Sequence, residues 1–164
     1  FGTGTHPTTQ LCLEMVEDYT RPGIHVIDVG CGSGILSVAA LKLGAGHALG
    51  VDIDNAAVIS SKENAEANGV LDRLEVGIGS VSELLAGQYS LRQAPLVLAN
   101  ILAPVIIRLF DAGLADLVEP GGILVLSGIL ADQAPGVLEA AVGKGLKHLH
   151  TRQQGDWVAI ALGK

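Results

Sequence analysis

The apolar positions of the chain repeat with two different periods, which predict alternating strands and helices. Short runs rich in valine, isoleucine and leucine predict five buried strands, at 26–29, 48–53, 74–78, 94–99 and 123–127. Longer stretches with apolar residues three and four positions apart predict helices, at 8–19, 35–43, 56–68, 82–86, 104–117 and 131–142. This alternation predicts an α/β domain with a parallel sheet and helices on both of its faces.

The end of the chain follows a different pattern. Residues 146–152 and 157–162 alternate between polar and apolar side chains, and the sequence Gln-Gln-Gly-Asp at 153–156 can turn between them. These two strands are expected to form an antiparallel hairpin. The complete prediction is therefore a mostly parallel, seven-stranded sheet that ends in an antiparallel hairpin.

Turn and capping residues set the expected limits of the helices. Residues 1–9 are too rich in glycine, threonine and proline for regular structure. Helix caps are expected at Thr8 or Thr9, at Ser33 and at Asp54. Pro104 is expected to open a long helix, and the Pro-Gly-Gly sequence at 120–122 to break the chain before the next strand.

Length, hydropathy and charge narrow the class of protein. The chain has 164 residues, which suits one domain, and a hydrophobic content of 49% indicates a globular fold. No run of eighteen uncharged apolar residues occurs, so a membrane partner is not expected. The net charge of −7 and the lack of a lysine or arginine cluster argue against direct binding of nucleic acid. The acidic excess fits either a basic protein substrate or a simple solvated surface.

The two cysteines and the five histidines show no metal-binding spacing, so no metal is expected. A disulfide between Cys12 and Cys31 would distort the glycine-rich segment around residue 31, and a reducing cytoplasm is the simpler setting. The chain begins with Phe1 and shows no signal peptide. We therefore expect one domain of a longer protein. We also expect this domain to be a monomer.

A glycine-rich loop follows the first predicted strand. Gly30, Gly32 and Gly34 come directly before a helix, and Asp28 lies two residues before the first glycine. Glycines let the chain turn sharply and let a ligand approach backbone N–H groups at the positive end of a helix. A plain turn is the alternative, and the dinucleotide fingerprint would need its third glycine one residue later. The pattern acid-x-Gly-x-Gly-x-Gly resembles the first motif of the Rossmann-like S-adenosylmethionine-dependent methyltransferases.

Two further polar residues are expected beside this loop. Asp52 ends the second strand about 20 residues after the glycines, where an acid can accept hydrogen bonds from both hydroxyls of a ribose. Asn100 follows a middle strand next to the point where the strand order reverses, which is where open α/β sheets bind ligands.

Five segments together resemble the catalytic domain of the bacterial methyltransferases that modify the eleventh protein of the large ribosomal subunit. They are Gly-Thr-Gly-Thr-His-Pro-Thr-Thr at 2–9, Asp-Val-Gly-Cys-Gly-Ser-Gly-Ile-Leu at 28–36, Gly-Val-Asp-Ile-Asp at 50–54, Ala-Asn-Ile-Leu at 99–102 and Ser-Gly-Ile-Leu at 127–130. The resemblance implies an N-methyltransferase that acts on α-amino and lysine ε-amino groups of that ribosomal protein. It also implies a separate N-terminal recognition domain, and we expect this chain to begin after that domain.

The resemblance also implies which residues bind S-adenosyl-L-methionine. They are the positions that match Thr9, Gly30, Asp52 and Asn100, with Gly32 and Gly34 completing the loop and Asn100 also positioning the amine. Asp28 either shapes the loop, contacts the amino group of the cofactor, or caps local backbone N–H groups. His6 is a candidate general base or a hydrogen-bonding anchor for its loop. Methyl transfer needs alignment rather than covalent catalysis, so no base is required.

Three rival functions remain open. A dehydrogenase that uses NAD would share the fold, but the glycine spacing and the lack of a Tyr-x-x-x-Lys pair argue against it. A methyltransferase of RNA or of a small molecule would share the cofactor. The chain could also be a cofactor-binding domain that is inactive without its partner domain.

Overall fold

A computed structural model of the chain describes residues 3–164, so Phe1 and Gly2 of the irregular segment predicted at 1–9 lie outside it. Helices and strands alternate along the described residues. The helices are α1 (Pro7–Tyr19), α2 (Ile35–Lys42), α3 (Asn55–Ala67), α4 (Val81–Leu85), α5 (Ala103–Ala112) and α6 (Ala134–Gly143). The strands are β1 (His25–Val29), β2 (His47–Asp52), β3 (Leu74–Ile78), β4 (Ala94–Asn100), β5 (Val118–Leu130), β6 (Lys147–Gln154) and β7 (Trp157–Gly163).

The seven strands form one sheet in the order β3-β2-β1-β4-β5-β7-β6. Strands β1 to β5 are parallel to one another, whereas β7 is antiparallel to both β5 and β6. The predicted mostly parallel sheet and its C-terminal hairpin are confirmed. The strand order reverses between β1 and β4, and the carboxyl ends of the five parallel strands meet at one edge, which we call the carboxyl edge.

Both faces of the central strands are buried, as the apolar runs predict, whereas the edge strand β6 is exposed along nearly its whole length. Successive residues of a strand point to opposite faces, and Val26 and Ile27 of β1 accordingly belong to different apolar clusters. Helices α1, α2 and α3 cover the cluster around Val26, where Met15 is fully buried. Helices α4, α5 and α6 cover the cluster around Ile27, where Phe110 is buried. The core therefore holds the carboxyl edge rigidly from both sides.

Two predicted helix caps are wrong and one is confirmed. Helix α1 begins at Pro7 and is capped by His6 rather than by Thr8 or Thr9, because the His6 ring accepts a hydrogen bond from the Thr8 backbone N–H. Gly34 rather than Ser33 precedes α2, with φ +78° and no side-chain cap. Asp54 caps α3 as predicted, accepting from the Ala56 N–H at 2.9 Å.

The helix predicted at 104–117 is confirmed at its start, whereas its predicted end and the break predicted at 120–122 are wrong. Helix α5 ends at Ala112 because Gly113 takes the left-handed conformation, and a 3-10 turn at Leu114–Leu117 follows. Strand β5 then runs through 120–122, because Gly121 and Gly122 exchange backbone hydrogen bonds with Lys164, which directly follows β7. The extra residues are accommodated as an irregularity in the pairing of β4 with β5.

The helix predicted at 131–142 is divided in the structure. A 3-10 turn covers Ala131–Gln133, and α6 starts at Ala134, with Pro135 in its first turn, where the missing N–H of proline costs nothing. Within residues 3–164, every helix is too short or too polar to cross a lipid bilayer.

Candidate functional site

The glycine-rich loop lies at the carboxyl edge between β1 and α2. Gly30, Gly32 and Gly34 have φ angles of +69°, +55° and +78°, which side chains other than glycine rarely adopt. A Cβ at Gly34 would lie 2.9 Å from the Ser61 side chain, so this glycine allows α3 to pack closely. A Cβ at Gly32 would meet no atom within 4 Å. Gly32 therefore leaves open space above the loop.

Asp52 connects the loop to the end of β2. One carboxylate oxygen accepts from the Gly32 N–H at 2.9 Å, and the other accepts from the Asp54 N–H at 3.0 Å. A carboxylate has about four acceptor positions, so each oxygen keeps one for a ligand hydroxyl. The residue lies where the sequence places it, and its ribose role stays a prediction.

Asp28 holds the start of α2. Its carboxylate accepts from the Ser37 hydroxyl at 2.7 Å and from the Ser37 backbone N–H. Burial raises the pKa of Asp28 to about 7, and the Ser37 hydroxyl opposes that rise. The contact favours the local capping interpretation, because Ser37 lies in the first turn of the helix that no neighbouring side chain caps.

Two cavities meet at Gly30, which lines both of them. The larger, about 350 Å³, has Asp52 at one side and an apolar wall that includes Ile53, Leu102 and Val105. Ile53 is 83% exposed at the mouth of this cavity. The smaller, about 50 Å³, is lined by Asp28, Gly30, Cys31, Gly32, Ile35, Leu36 and Asn100.

Asn100 ends β4 beside β1, at the reversal of strand order. The residue is nearly buried, at 9% exposure, and its side-chain carbonyl oxygen, Oδ1, has no hydrogen-bond partner within residues 3–164. A buried acceptor without a partner costs about 1–3 kcal/mol. This oxygen can therefore accept a hydrogen bond from a ligand that brings an N–H or O–H donor into the small cavity.

The start of α1 packs across β5 and β7. Thr9 is fully buried in the first turn of the helix, and the Ser127 hydroxyl donates to the Thr8 carbonyl oxygen at 2.9 Å. The His6 ring caps the helix and meets the Trp157 ring edge to face, with the ring centroids 5.2 Å apart. These contacts favour the anchoring interpretation of His6, and the cofactor role of Thr9 stays a prediction.

Several residues of the site are absent from the sequence-based prediction. Ser37 and the apolar wall were missed, as was Ser80, which lines the larger cavity and forms a capping box with Glu83. One signal for the wall was available, because Ile53 is an apolar residue between Asp52 and Asp54 at the carboxyl end of a predicted strand.

Metal ligands and a disulfide do not contribute to the described structure. Within residues 3–164, no group of three or more histidine, cysteine or acidic side chains is placed to hold a metal ion. Cys12 and Cys31 are free and buried. Burial raises the pKa of the Cys31 thiol to about 12, so this thiol stays protonated beside the loop.

A family model and sequence relatives match the chain along its length. The model of the family "Ribosomal protein L11 methyltransferase (PrmA)" matches residues 1–164. A ribosomal protein L11 methyltransferase from Exiguobacterium sp. is 44% identical over 164 residues, which is 100% of this chain and 51% of the relative. One from Listeria monocytogenes is 46% identical over 160 residues, which is 98% of this chain and 49% of the relative. The chain thus spans about half the length of these curated relatives.

Solved structures agree with this match. The ribosomal protein L11 methylase from Lactobacillus delbrueckii subsp. bulgaricus has a TM-score of 0.83 and 33% identity, and the match covers 97% of this chain and 79% of that one. An RNA methyltransferase from Salinibacter ruber in complex with S-adenosyl-L-homocysteine has a TM-score of 0.71 and 18% identity, covering 96% and 93%, and shows a shared fold. By sequence and fold, this chain belongs to the ribosomal protein L11 methyltransferase (PrmA) family.

Proposed function

We propose that the chain binds S-adenosyl-L-methionine and methylates α-amino and lysine ε-amino groups of ribosomal protein L11. The unpartnered carbonyl oxygen of Asn100 carries the proposal, because it is a buried acceptor beside the glycine loop of a chain of this family. Such an acceptor suits a donor group of the cofactor or of an incoming amine.

The two cavities fit the two ends of this cofactor. The apolar wall at Ile53 and Leu102 suits an adenine ring, and Asp52 lies at its edge, where ribose hydroxyls can donate to the carboxylate. Gly30 and Gly32 leave room beside backbone N–H groups for the methionine end. Asp28 contributes indirectly, because it holds α2 and with it the loop.

The chain's own part in the reaction is to position the amine. S-adenosyl-L-methionine supplies an electrophilic methyl group on a sulfonium sulfur. The Asn100 carbonyl oxygen can accept an N–H of the amine and so direct its lone pair. An α-amino group has an unperturbed pKa of about 7.7–8, so solvent can remove its proton without a dedicated base. A base role for His6 would need its Nε2 atom, since Nδ1 already contacts Thr8.

Calorimetry and a methylation assay test the proposal. We expect saturable binding of S-adenosyl-L-methionine but not of NAD, and mass spectrometry should show methylated amines on purified L11. The full-length relative from Listeria monocytogenes serves as the positive control. Binding of NAD instead would contradict the cofactor, and transfer to RNA but not to L11 would contradict the substrate.

The remaining proposals concern the whole protein and its setting. We propose that residues 1–164 are the catalytic domain and that the rest of the length of the relatives recognises the substrate. The alternative, a domain that binds the cofactor without activity, predicts binding but no transfer.

The two free, buried cysteines support a cytoplasmic location. We also propose a monomer, which light scattering would check.

A further inference from the structure

The two cavities of the candidate site meet at Gly30, and the side chain of Ile101 lies against this glycine. A Cβ on Gly30 would be 2.7 Å from the Cγ2 methyl group of Ile101, so that methyl group packs where any other residue would carry its side chain. Ile101 lines the larger cavity, and the preceding residue, Asn100, lines the smaller one. Ile101 therefore borders the larger cavity where it joins the smaller one.

Backbone hydrogen bonds hold both sides of this junction. The Gly30 N–H donates to the Val51 carbonyl oxygen at 2.8 Å, and the Ile101 N–H donates to the Ser127 carbonyl oxygen at 3.2 Å. These acceptors lie on β2 and β5, which flank β1 and β4 in the sheet. The side chain of Ile101 also packs against the apolar cluster around Ile27. Its Cγ2 methyl group is therefore a fixed, apolar part of the cavity wall.

A ligand that fills both cavities must pass this methyl group with its middle part. In the proposed function, the adenosine end of the cofactor lies in the larger cavity and the methionine end in the smaller one. The sulfonium sulfur joins these two ends, so its place is beside Ile101. A methyl group neither donates nor accepts hydrogen bonds, and it excludes water from the atoms that it contacts. A positive charge in this position is therefore poorly solvated.

We infer, on the basis of the proposed function, that Ile101 contacts the sulfonium centre of bound S-adenosyl-L-methionine and shields it from water. During transfer the bond from the methyl carbon to sulfur breaks, its electron pair stays on sulfur, and the amine nitrogen forms the new bond and takes the charge. The transition state thus spreads the positive charge over sulfur and nitrogen. Surroundings that solvate a concentrated charge poorly favour that state over the bound cofactor, so the contact should raise the rate of transfer.

Calorimetric titration with S-adenosyl-L-methionine and with S-adenosyl-L-homocysteine tests this contact without any turnover. The sulfur is cationic and methylated in the first ligand, whereas it is neutral in the second. The main variants are Ile101→Val and Ile101→Thr, whose new side chains have the same shape and differ by one hydroxyl group. The matched control is Ile107→Thr, which makes the same change on α5 outside both cavities.

We expect Ile101→Thr to shift the ratio of the two affinities at least about threefold toward S-adenosyl-L-methionine, because a hydroxyl oxygen can face the positive charge. Ile101→Ala, which leaves space for water, should shift the ratio in the same direction. Ile101→Val and Ile107→Thr should keep the ratio of the unchanged chain. In a single turnover with a peptide that has a free amino end, Ile101→Thr should transfer the methyl group about threefold to tenfold more slowly.

The ratio of affinities distinguishes this contact from a purely structural role, because a loosened cavity would weaken the binding of both ligands equally. An unchanged ratio in both Ile101→Thr and Ile101→Ala, or an equal shift in Ile101→Val, would overturn the inference. An unchanged chain that binds neither ligand would instead count against the proposed function.

Discussion

Asp52 has a structural task in addition to its proposed ribose role, and the two can be separated by substitution. Asp52→Ala removes acceptors for two backbone N–H groups as well as for the ribose. We expect a loss of cofactor affinity of roughly 1.5–3 kcal/mol per ribose bond, together with a lower free energy of unfolding.

Asp54→Ala is the matched control for Asp52→Ala. It removes only the cap of α3, so it should cost about 1 kcal/mol of stability and leave the cofactor affinity unchanged. Calorimetric titration and urea unfolding measure both quantities. An Asp52→Ala chain that binds the cofactor normally would contradict the site assignment.

Gly32 tests more cleanly than Gly30 does whether the glycine-rich loop binds the cofactor. A Cβ at Gly30 would lie 2.7 Å from Ile101, so a substitution there disturbs packing, whereas at Gly32 it would enter open space. Gly32→Ala should therefore weaken cofactor binding at least about tenfold, because the methyl group occupies the ligand space. Gly69→Ala is the control, with a similar φ of +71° and equally open surroundings. Both variants should lose about 1 kcal/mol of stability. Equal cofactor affinities of the two variants would contradict cofactor binding at the glycine-rich loop.

Asp28 makes stability depend on pH in a direction that burial fixes. Burial raises its folded pKa to about 7, whereas an unfolded aspartate titrates near about 3.9. Between these values the folded chain holds a proton that the unfolded chain has lost, so this group's contribution to stability falls as pH rises from about 4 to about 7. Asp28→Asn should remove that slope.

Urea unfolding at several pH values measures the Asp28 effect. Ser37→Ala provides a second check, because it removes the bond that lowers the pKa of Asp28 and so should extend the slope to higher pH. Identical pH profiles for Asp28→Asn and the unchanged chain would show that burial does not shift this carboxyl.

At the scale of elements, apolar runs predicted the five parallel strands, because helices cover both faces of that part of the sheet, and alternation predicted β6 and β7, of which β6 is exposed along nearly its whole length. Helix caps were harder to predict from the sequence, since their partners can come from outside the helix. Asp28 on β1, for example, accepts the Ser37 hydroxyl in the first turn of α2. The path of β5 through Gly121 depends on its bonds to Lys164, which is distant in sequence. The topology placed Asp52 and Asn100 at the edge correctly, whereas the cavity wall depends on packing that no motif encodes.

The contact between β5 and α1 couples the sheet to the opening segment of the chain. Ser127→Ala removes a buried bond to the Thr8 carbonyl oxygen. We expect a loss of about 1 kcal/mol of stability and a weaker affinity for S-adenosyl-L-methionine, because the first turn of α1 carries Thr9. Ser60→Ala, on α3, is the control and should change neither value. Unchanged cofactor affinity for Ser127→Ala would show that the start of α1 does not contribute to the site.

At the scale of the whole molecule, the length of the relatives suggests that cofactor binding and substrate recognition lie in different parts of the protein. The match covers 98% of this chain but only 49% of the Listeria monocytogenes relative. Binding energy from parts of a substrate remote from the reacting amine raises kcat/KM by positioning that amine. We therefore expect the remainder of that relative, fused to this chain, to increase kcat/KM for intact L11 at least about tenfold.

A short peptide with a free amino end is the control substrate for this fusion. It is too small to reach the added part, so both proteins should methylate it at similar rates, and the gain should be confined to intact L11. The ratio of the two kcat/KM values isolates remote recognition from any change in the site itself. A gain for the peptide as large as that for L11 would indicate that the added part stabilises the site. Equal kcat/KM values for L11 would place substrate recognition within these 164 residues.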